Sequence, residues 1–293
     1  MSTEPGWQGT FFDLPKELSD PERARVIIIP APFEASVSYG KGASAGPFAI
    51  FEASKQVELF EPELGSVPAE AGISSLPALK LENLKPEQAA KAVEATVKKI
   101  FEQGRRPVML GGEHSLTIGA VRAAQEFHKD IVVLHLDAHA DLRDQYLGDA
   151  FSHACVMRRV YDLGVKFISA GIRNISSPER AFFKEKKLNI YFMHRLAQVS
   201  GWEEMIAREL GEKIYITLDL DVLDPSVMPG VGTPEPGGMS YSGLLKFLRT
   251  IAKSGKEVVG FDLVELAPIP GQLASEFTAA RLLYQMIGLF WAK

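Results

Sequence analysis

Seven short runs of β-branched and aliphatic residues punctuate the chain, at residues 25–29, 107–110, 131–136, 166–170, 188–192, 214–218 and 257–263. Each is nearly continuous in its apolar character rather than alternating, the mark of a strand covered on both faces. Between them lie helix-like segments at 87–102, 116–128, 202–210, 242–253 and 277–290. Strand and helix therefore alternate. The pattern predicts an α/β fold, a three-layer αβα domain around a mostly parallel sheet, with ligand sites at the carboxyl ends of the strands. Residues 59–83, rich in Pro, Ser and Glu, read as a long excursion with no second domain's worth of pattern. Residues 1–24 are polar, aromatic and proline-bearing without clear period. They read as a surface or subunit-contact segment leading into a single domain over 25–293.

Composition narrows the picture. With 293 residues, 46% of them apolar, the chain can bury a large core, and nothing suggests disorder. The net charge of −5 is mild and the 32 Lys and Arg residues are scattered, so no electrostatic case for nucleic acid arises. The lone cysteine, Cys155, excludes an intrachain disulfide and fits a reducing compartment. The opening residues lack a basic segment followed by an apolar one, and no run approaches the roughly 18 apolar residues that span a bilayer. The expectation is a soluble cytoplasmic protein with neither nucleic acid nor membrane as a partner.

Three of the predicted strands end in chemistry. The run 131–136 leads into Asp137-Ala138-His139-Ala140-Asp141, and 214–218 into Asp219-Leu220-Asp221. In extended backbone alternate side chains share a face, so each set can converge. Either cluster alone is equally well a solvated, aspartate-rich turn. The third run, 107–110, ends in Gly111-Gly112-Glu113-His114-Ser115 and brings His114 to the same edge. Carboxylates packed together repel and resist burial, and a divalent cation is the common remedy. Four aspartates and two histidines, with no thiolate, favour Mn²⁺ over a structural zinc. Six such ligands exceed what one ion uses. Two ions bridged by some of the aspartates distribute the charge, and such pairs convert a bridging water into a hydroxide nucleophile near neutral pH.

The segments Gly111-Gly112-Glu113-His114-Ser115, Asp137-Ala138-His139-Ala140-Asp141 and Thr217-Leu218-Asp219-Leu220-Asp221-Val222-Leu223-Asp224-Pro225, the last followed by Pro229-Gly230, resemble the three signatures of the arginase/agmatinase family, the ureohydrolases. Their order and spacing agree with the family, and the likeness runs from about Val26 to the C-terminus. It implies an arginase/deacetylase-like fold and a binuclear manganese hydrolase, two Mn²⁺ per chain, that releases urea from a guanidino compound. It further implies that His114 and Asp141 hold one ion, that His139 and Asp221 hold the other, and that Asp137 and Asp219 bridge them. A homotrimer or homohexamer is the assembly it suggests.

A guanidinium carbon is a poor electrophile, so the reaction needs a strong nucleophile and a partner that holds the cation. A buried carboxylate can pair bidentately with a planar guanidinium. Glu265, at the end of the run through Leu263, resembles the family's glutamate in that role; alternatively it is an edge-of-sheet charge. Proton transfer to the departing amine suits a histidine. His153 stands where the family has its catalytic histidine, unless it merely begins a helix through Tyr161. The candidate catalytic residues are thus His153, Glu265 and the ligand Asp141, with Asp224 and Asp262 as structural or ligand-orienting groups. A thiolate mechanism from Cys155 and His153 is disfavoured, because residues two apart on a helix do not face one another.

The segment 142–152 lacks the polar clamp with which arginases grip the α-amino and α-carboxylate groups of arginine. Asp144 or Asp149 suits a substrate ending in a bare ammonium, as in agmatine; Arg143 suits a terminal carboxylate, as in guanidinobutyrate. Residues 152–159 resemble the corresponding stretch of bacterial and archaeal agmatinases, so the leading expectation is hydrolysis of agmatine to putrescine and urea. The alternatives are N1-aminopropylagmatine, guanidinobutyrate, arginine or a formiminoglutamate, or metal or polyamine binding without catalysis. Ala140 and Val231 stand where many agmatinases carry Thr. The glycine-rich stretches around Gly40 and Gly232 lack phosphate-loop spacing.

Overall fold

The apolar runs become the strands β1 (Val26–Ala31), β3 (Arg106–Gly111), β4 (Val132–Leu136), β5 (Lys166–Ile172), β6 (Asn189–Phe192), β7 (Lys213–Asp219) and β8 (Glu257–Val264) of a computed structural model that describes residues 10–292. An eighth strand, β2 (Ile73–Ser75), lies in the excursion 59–83 and pairs with the outer edge of β1. All neighbours run parallel, in the order β2-β1-β3-β8-β7-β4-β5-β6. This is the three-layer αβα arrangement that the sequence pattern predicts. β2 is too short, and too poor in apolar residues beyond Ile73, to announce itself by pattern.

The strands are apolar throughout because both faces are covered. Val26 and Ile28 of β1, Val108 and Leu110 of β3, and Leu134 and Leu136 of β4 pack with helices Gly46–Ser54, Trp202–Glu209, Tyr241–Lys253 and Ala274–Trp291. The intervening Ile27, Ile29, Met109 and Val133 face helices Pro86–Glu102, Thr117–Phe127, Val156–Asp162 and Ser177–Lys186. Side chains on a strand alternate between faces, so a doubly covered strand leaves no polar position to break the run.

The five helix-like segments appear with ends shifted by a few residues. Helix Gly46–Ser54 escaped prediction because it is buried around most of its circumference, which erases the polar face that makes a helix visible. Helix Ser177–Lys186 carries a capping box, with Ser176 as N-cap and Glu179 reaching back to its amide. Residues 1–9 of the N-terminal segment lie outside the described residues. Phe11 and Phe12 are buried, the Phe12 ring lying 4.3 Å from Tyr284, and the Phe12 amide donates to Ser54 Oγ.

The consequence for function lies in the middle of the sheet. Adjacent strands β3, β8, β7 and β4 end side by side, and each opens at its carboxyl end into a segment bearing one of the predicted site residues.

Candidate metal centre

His114 begins a short turn after β3, in a loop seated against its neighbours. A Cβ on Gly112 would lie 1.9 Å from the Phe33 carbonyl oxygen, so only glycine admits this path. The Gly112 carbonyl accepts the Glu265 amide, tying the ends of β3 and β8 together. The imidazole of His114 is buried, with Nδ1 3.1 Å from Asp137, 3.2 Å from Asp141 and 3.5 Å from Asp219, each through Oδ2. His139 Nδ1 lies 2.9 Å from Asp221 Oδ2 and 3.6 Å from Asp137 Oδ1. The structure thus brings all six predicted donors into one cluster, with Asp137 between the two imidazoles.

Local backbone geometry aims these groups. Asp219 Oδ1 accepts the Asp221 amide, and Asp221 Oδ1 accepts the Ala138 amide, locking the loop after β7 to the loop after β4. Asp141 adopts a left-handed conformation, φ 50°, and its carbonyl accepts the amides of Met157 and Arg158 at the start of helix Val156–Asp162. Glu265, with φ 67°, is likewise left-handed, and its Oε1 accepts the His114 amide at 2.6 Å. Left-handed non-glycine residues cost of order 1–3 kcal/mol each and persist where surrounding structure enforces them. Two sit in this cluster.

The charges are mutually dependent. Burial and the neighbouring Asp221 and Asp137 hold Asp219 well above the usual carboxylate range, and burial beside Asp137 raises Asp221. Burial opposes ionisation of Asp137 too, but His135, His114 and His139 outweigh it and hold Asp137 well below that range. Burial works against protonating the histidines, yet the surrounding aspartates raise His114 well above its ordinary value and His139 to about 12. Protons on imidazoles thus do what a cation does in such a site, keeping buried carboxylates together. The fit to a metal rests on one atom. His114 Nδ1 is fully buried without a hydrogen-bond partner among the described residues, while its Nε2 is taken by the Thr217 hydroxyl at 2.8 Å. In the metal-free chain Nδ1 carries the proton that the three carboxylates hold; with that proton gone, its lone pair would point at the carboxylates, as a metal ligand's does.

The model of the arginase family matches residues 24–288. The chain belongs to the arginase family. It is 40% identical over 277 residues to an N(1)-aminopropylagmatine ureohydrolase of Synechocystis sp., covering 92% of this chain and 90% of the relative. It is 34% identical to an agmatinase of Bacillus anthracis, covering 93% of each. Among solved structures, the agmatine ureohydrolase of Thermoplasma volcanium superposes with a TM-score of 0.84 at 31% identity over 94% of both chains.

In this arginase-family enzyme a cavity of about 210 Å³ opens over the cluster, lined among others by His114, His139, Asp141, His153, Asp219 and Glu265. Burial and the neighbouring Glu113 carry Glu265 up to about 8. Of the residues considered for the substrate's far end, Arg143 lines this cavity, 4.0 Å from the buried Glu179. Asp144 does not; it pairs with Arg158 and Arg159. Asp149 caps the Phe151 amide. Ala140 lines the cavity, whereas Val231 is buried behind it, bridged to Leu266. The two glycine stretches meet at the cavity wall, the Gly40 amide donating to the Gly232 carbonyl. Cys155 is buried, and its thiol is pushed up to about 12 by burial, then by Asp141, which fits a packing residue.

The sequence pattern leaves the supporting roles of His135, Thr217 and Arg173 unread, while Asp262 and Asp224 take the structural or ligand-orienting places expected of them. His135 shares a strand face with Asp137 and bonds its Oδ2 at 2.8 Å, its other nitrogen being held by Ser169. With both nitrogens engaged, it orients Asp137. The two-residue spacing was a usable signal. Thr217 donates to buried Asp262 at 2.7 Å, so Asp262 orients His114 through Thr217. Arg173 donates to the carbonyls of Gly171, Asp221, Val222 and Glu235, pinning the turn that carries Asp221. Asp224 accepts the amides of Ser226, Gly237 and Gly238, bonds that with the Ser226 hydroxyl lower it to about 2. It braces the loop after β7 at a distance from the cluster.

Proposed function

We propose that the protein hydrolyses the guanidino group of an agmatine-like amine, releasing urea, with N(1)-aminopropylagmatine preferred and agmatine second. The observation that carries the reaction is the buried Glu265 carboxylate in the wall of the same cavity as the six-donor cluster. The ranking of substrates rests on the higher identity to the aminopropylagmatine ureohydrolase than to the agmatinase. It reverses the order expected from the sequence, which put agmatine first. Tyr39 lines the cavity and is 81% exposed, so it marks a mouth through which a longer amine tail can leave.

In this reading His114 and Asp141 would hold one Mn²⁺, His139 and Asp221 the other, and Asp137 and Asp219 would contribute to both; the donor set of nitrogen and oxygen suits that ion. When bound, a pair of divalent cations supplies an activated water nucleophile at neutral pH. Glu265 pairs with the guanidinium and turns its carbon toward the cluster. His153 takes up the proton that the attacking water gives up and hands it to the amine nitrogen as that nitrogen's bond to carbon breaks, so the amine leaves neutral and gains its second proton, the one the urea oxygen loses, through water.

Urea release from N(1)-aminopropylagmatine, agmatine, guanidinobutyrate and arginine, with Mn²⁺ and after chelation, tests the proposal. The two amines are expected to exceed arginine in kcat/KM by at least about tenfold, since a site without partners for the α-carboxylate leaves that group unpaired. Arginine as the best substrate, or activity that survives complete chelation, overturns it.

A further inference from the structure

Glu113 is the acidic residue of the first signature that the metal cluster does not use. It is wholly buried, and none of the hydrogen bonds its carboxylate accepts comes from the cluster's six donors. Oε2 accepts the amides of Ala35 and Ser36 at 2.6 and 2.7 Å. Oε1 accepts the hydroxyls of Ser36 and Ser115 at 2.9 and 2.5 Å. Four donors point at an acceptor, a saturated arrangement that fixes the direction of every hydrogen involved.

Ser36 is the joint. Its single hydroxyl proton is committed to Glu113, so toward every other neighbour its oxygen can only accept. Those neighbours belong to His153: the backbone amide at 2.9 Å and ring Nδ1 at 3.2 Å. Nδ1 must therefore bear hydrogen, because an unprotonated Nδ1 would set two lone pairs against each other. Ser152 Oγ also lies 3.3 Å from Nδ1. A proton donated from Ser152 to Nδ1 would leave that clash with Ser36 in place, so Nδ1–H is the arrangement consistent with both hydroxyls. The Tyr146 ring, edge-on at 5.7 Å, limits the imidazole's freedom to turn.

We propose that Glu113, acting through Ser36, holds His153 in the tautomer protonated at Nδ1, leaving Nε2 as the atom that exchanges a proton with a molecule in the cavity. The inference rests on the proposed function only in taking His153 as the proton-transfer group. Glu113 and Ser36 are positioning residues, neither touching substrate. The logic is that of a histidine whose working nitrogen is selected by the bond its other nitrogen makes. Without that bond, a neutral imidazole is free to place its proton on Nε2.

The tautomer is read directly by ¹⁵N NMR of histidine-labelled protein loaded with diamagnetic Zn²⁺, the His153 signal being identified by its loss in His153→Ala. The wild type is expected to show Nδ1–H. Ser36→Ala should raise the Nε2–H population, and in the Mn²⁺ enzyme it should lower kcat at least about tenfold while KM moves less than about threefold, since general acid–base catalysis contributes roughly 10²–10⁴. Ser36→Thr, which keeps the hydroxyl, should restore both readouts, whereas Glu113→Gln, which turns an acceptor into a donor, should shift the tautomer as Ser36→Ala does. An Nε2–H tautomer in the wild type overturns the inference, and that measurement needs no variant to fold. So does a Ser36→Ala enzyme with unchanged kcat beside an inactive His153→Ala. A wild type that releases urea from no guanidino amine instead overturns the proposed function, and the tautomer then decides the inference alone.

Discussion

Nε2 of His114 and the hydroxyl of Thr217 lie 2.8 Å apart, a contact that reaches from the loop after β3 to strand β7. Thr217 in turn donates to Asp262 of β8, so the hydroxyl must accept from the imidazole. One threonine thus decides which nitrogen of His114 is left for a metal. Thr217→Val removes the acceptor with little change of shape. Metal affinity should fall by about 10–100-fold, as is typical when a ligand's orienting partner is lost. Titration calorimetry checks this; an unchanged dissociation constant refutes the role. Stability should also drop by about 1–3 kcal/mol, because Asp262 loses a buried donor.

Glu265 yields a pH prediction. In the metal-free chain, burial and Glu113 carry it up to about 8, so its carboxylate is protonated below that point and charged above it. Guanidinium binding needs the charged form. Since bound cations pull the transition lower, kcat/KM should climb with pH along a limb whose midpoint lies at or below about 8. Glu265→Gln should abolish that limb and lower kcat/KM by about 10²-fold or more, the scale of losing a charge-assisted pair in a desolvated site. A pH–rate profile that keeps its ascending limb in the variant refutes the assignment.

The metal-free protein should lose stability as pH rises. His139 titrates at about 12 in the folded chain, raised from 6.5. A raised folded value means the stabilisation is fully present below 6.5 and is lost as pH climbs toward 12. His114 shifts in the same direction. Each such group contributes a slope of at most about 1.4 kcal/mol per pH unit within its window. Asp137, held low, matters only in acid. Thermal unfolding with chelator between about pH 7 and pH 9 should therefore show a falling Tm, and Mn²⁺ should offset the fall because deprotonated ligands bind it better. A flat chelated profile counts against the charge assignment.

Gly112→Ala tests how tightly the metal loop is built. Its Cβ would lie 1.9 Å from the Phe33 carbonyl oxygen and 2.7 Å from the Phe33 amide nitrogen, both backbone atoms with little room to yield. A loss of about 3 kcal/mol or more in denaturant unfolding is expected, on the scale of severe overpacking. Metal binding should weaken with it, since His114 follows two residues later.

The alternating runs and the three signatures carried most of the architecture, because each is a local pattern that a single segment displays in full. Buried strands such as Ile27–Ile29 can hardly read as anything else, and the donors from His114 to Asp221 sit in short motifs. What escaped depends on residues far apart in the chain. No spacing connects Ser36 to Glu113, Thr217 to Asp262, or Arg173 to the Asp221 turn; the sheet order does. Asp144 looked free to meet an ammonium because Arg158 and Arg159, which hold it, lie on the following helix. Helix Gly46–Ser54 was invisible for the opposite reason, being too apolar to show a period.

The position of β8 also dictates when the site can exist. β8 is the last strand in the chain, yet it lies between β3 and β7. Until it is in place, β2-β1-β3 and β7-β4-β5-β6 share no strand, so His114 stands on one half-sheet and every aspartate of the cluster on the other. The loops after β4 and β7 carry five of the six donors on one half-sheet, and β8 is the strand whose pairing with both β3 and β7 brings His114 to them.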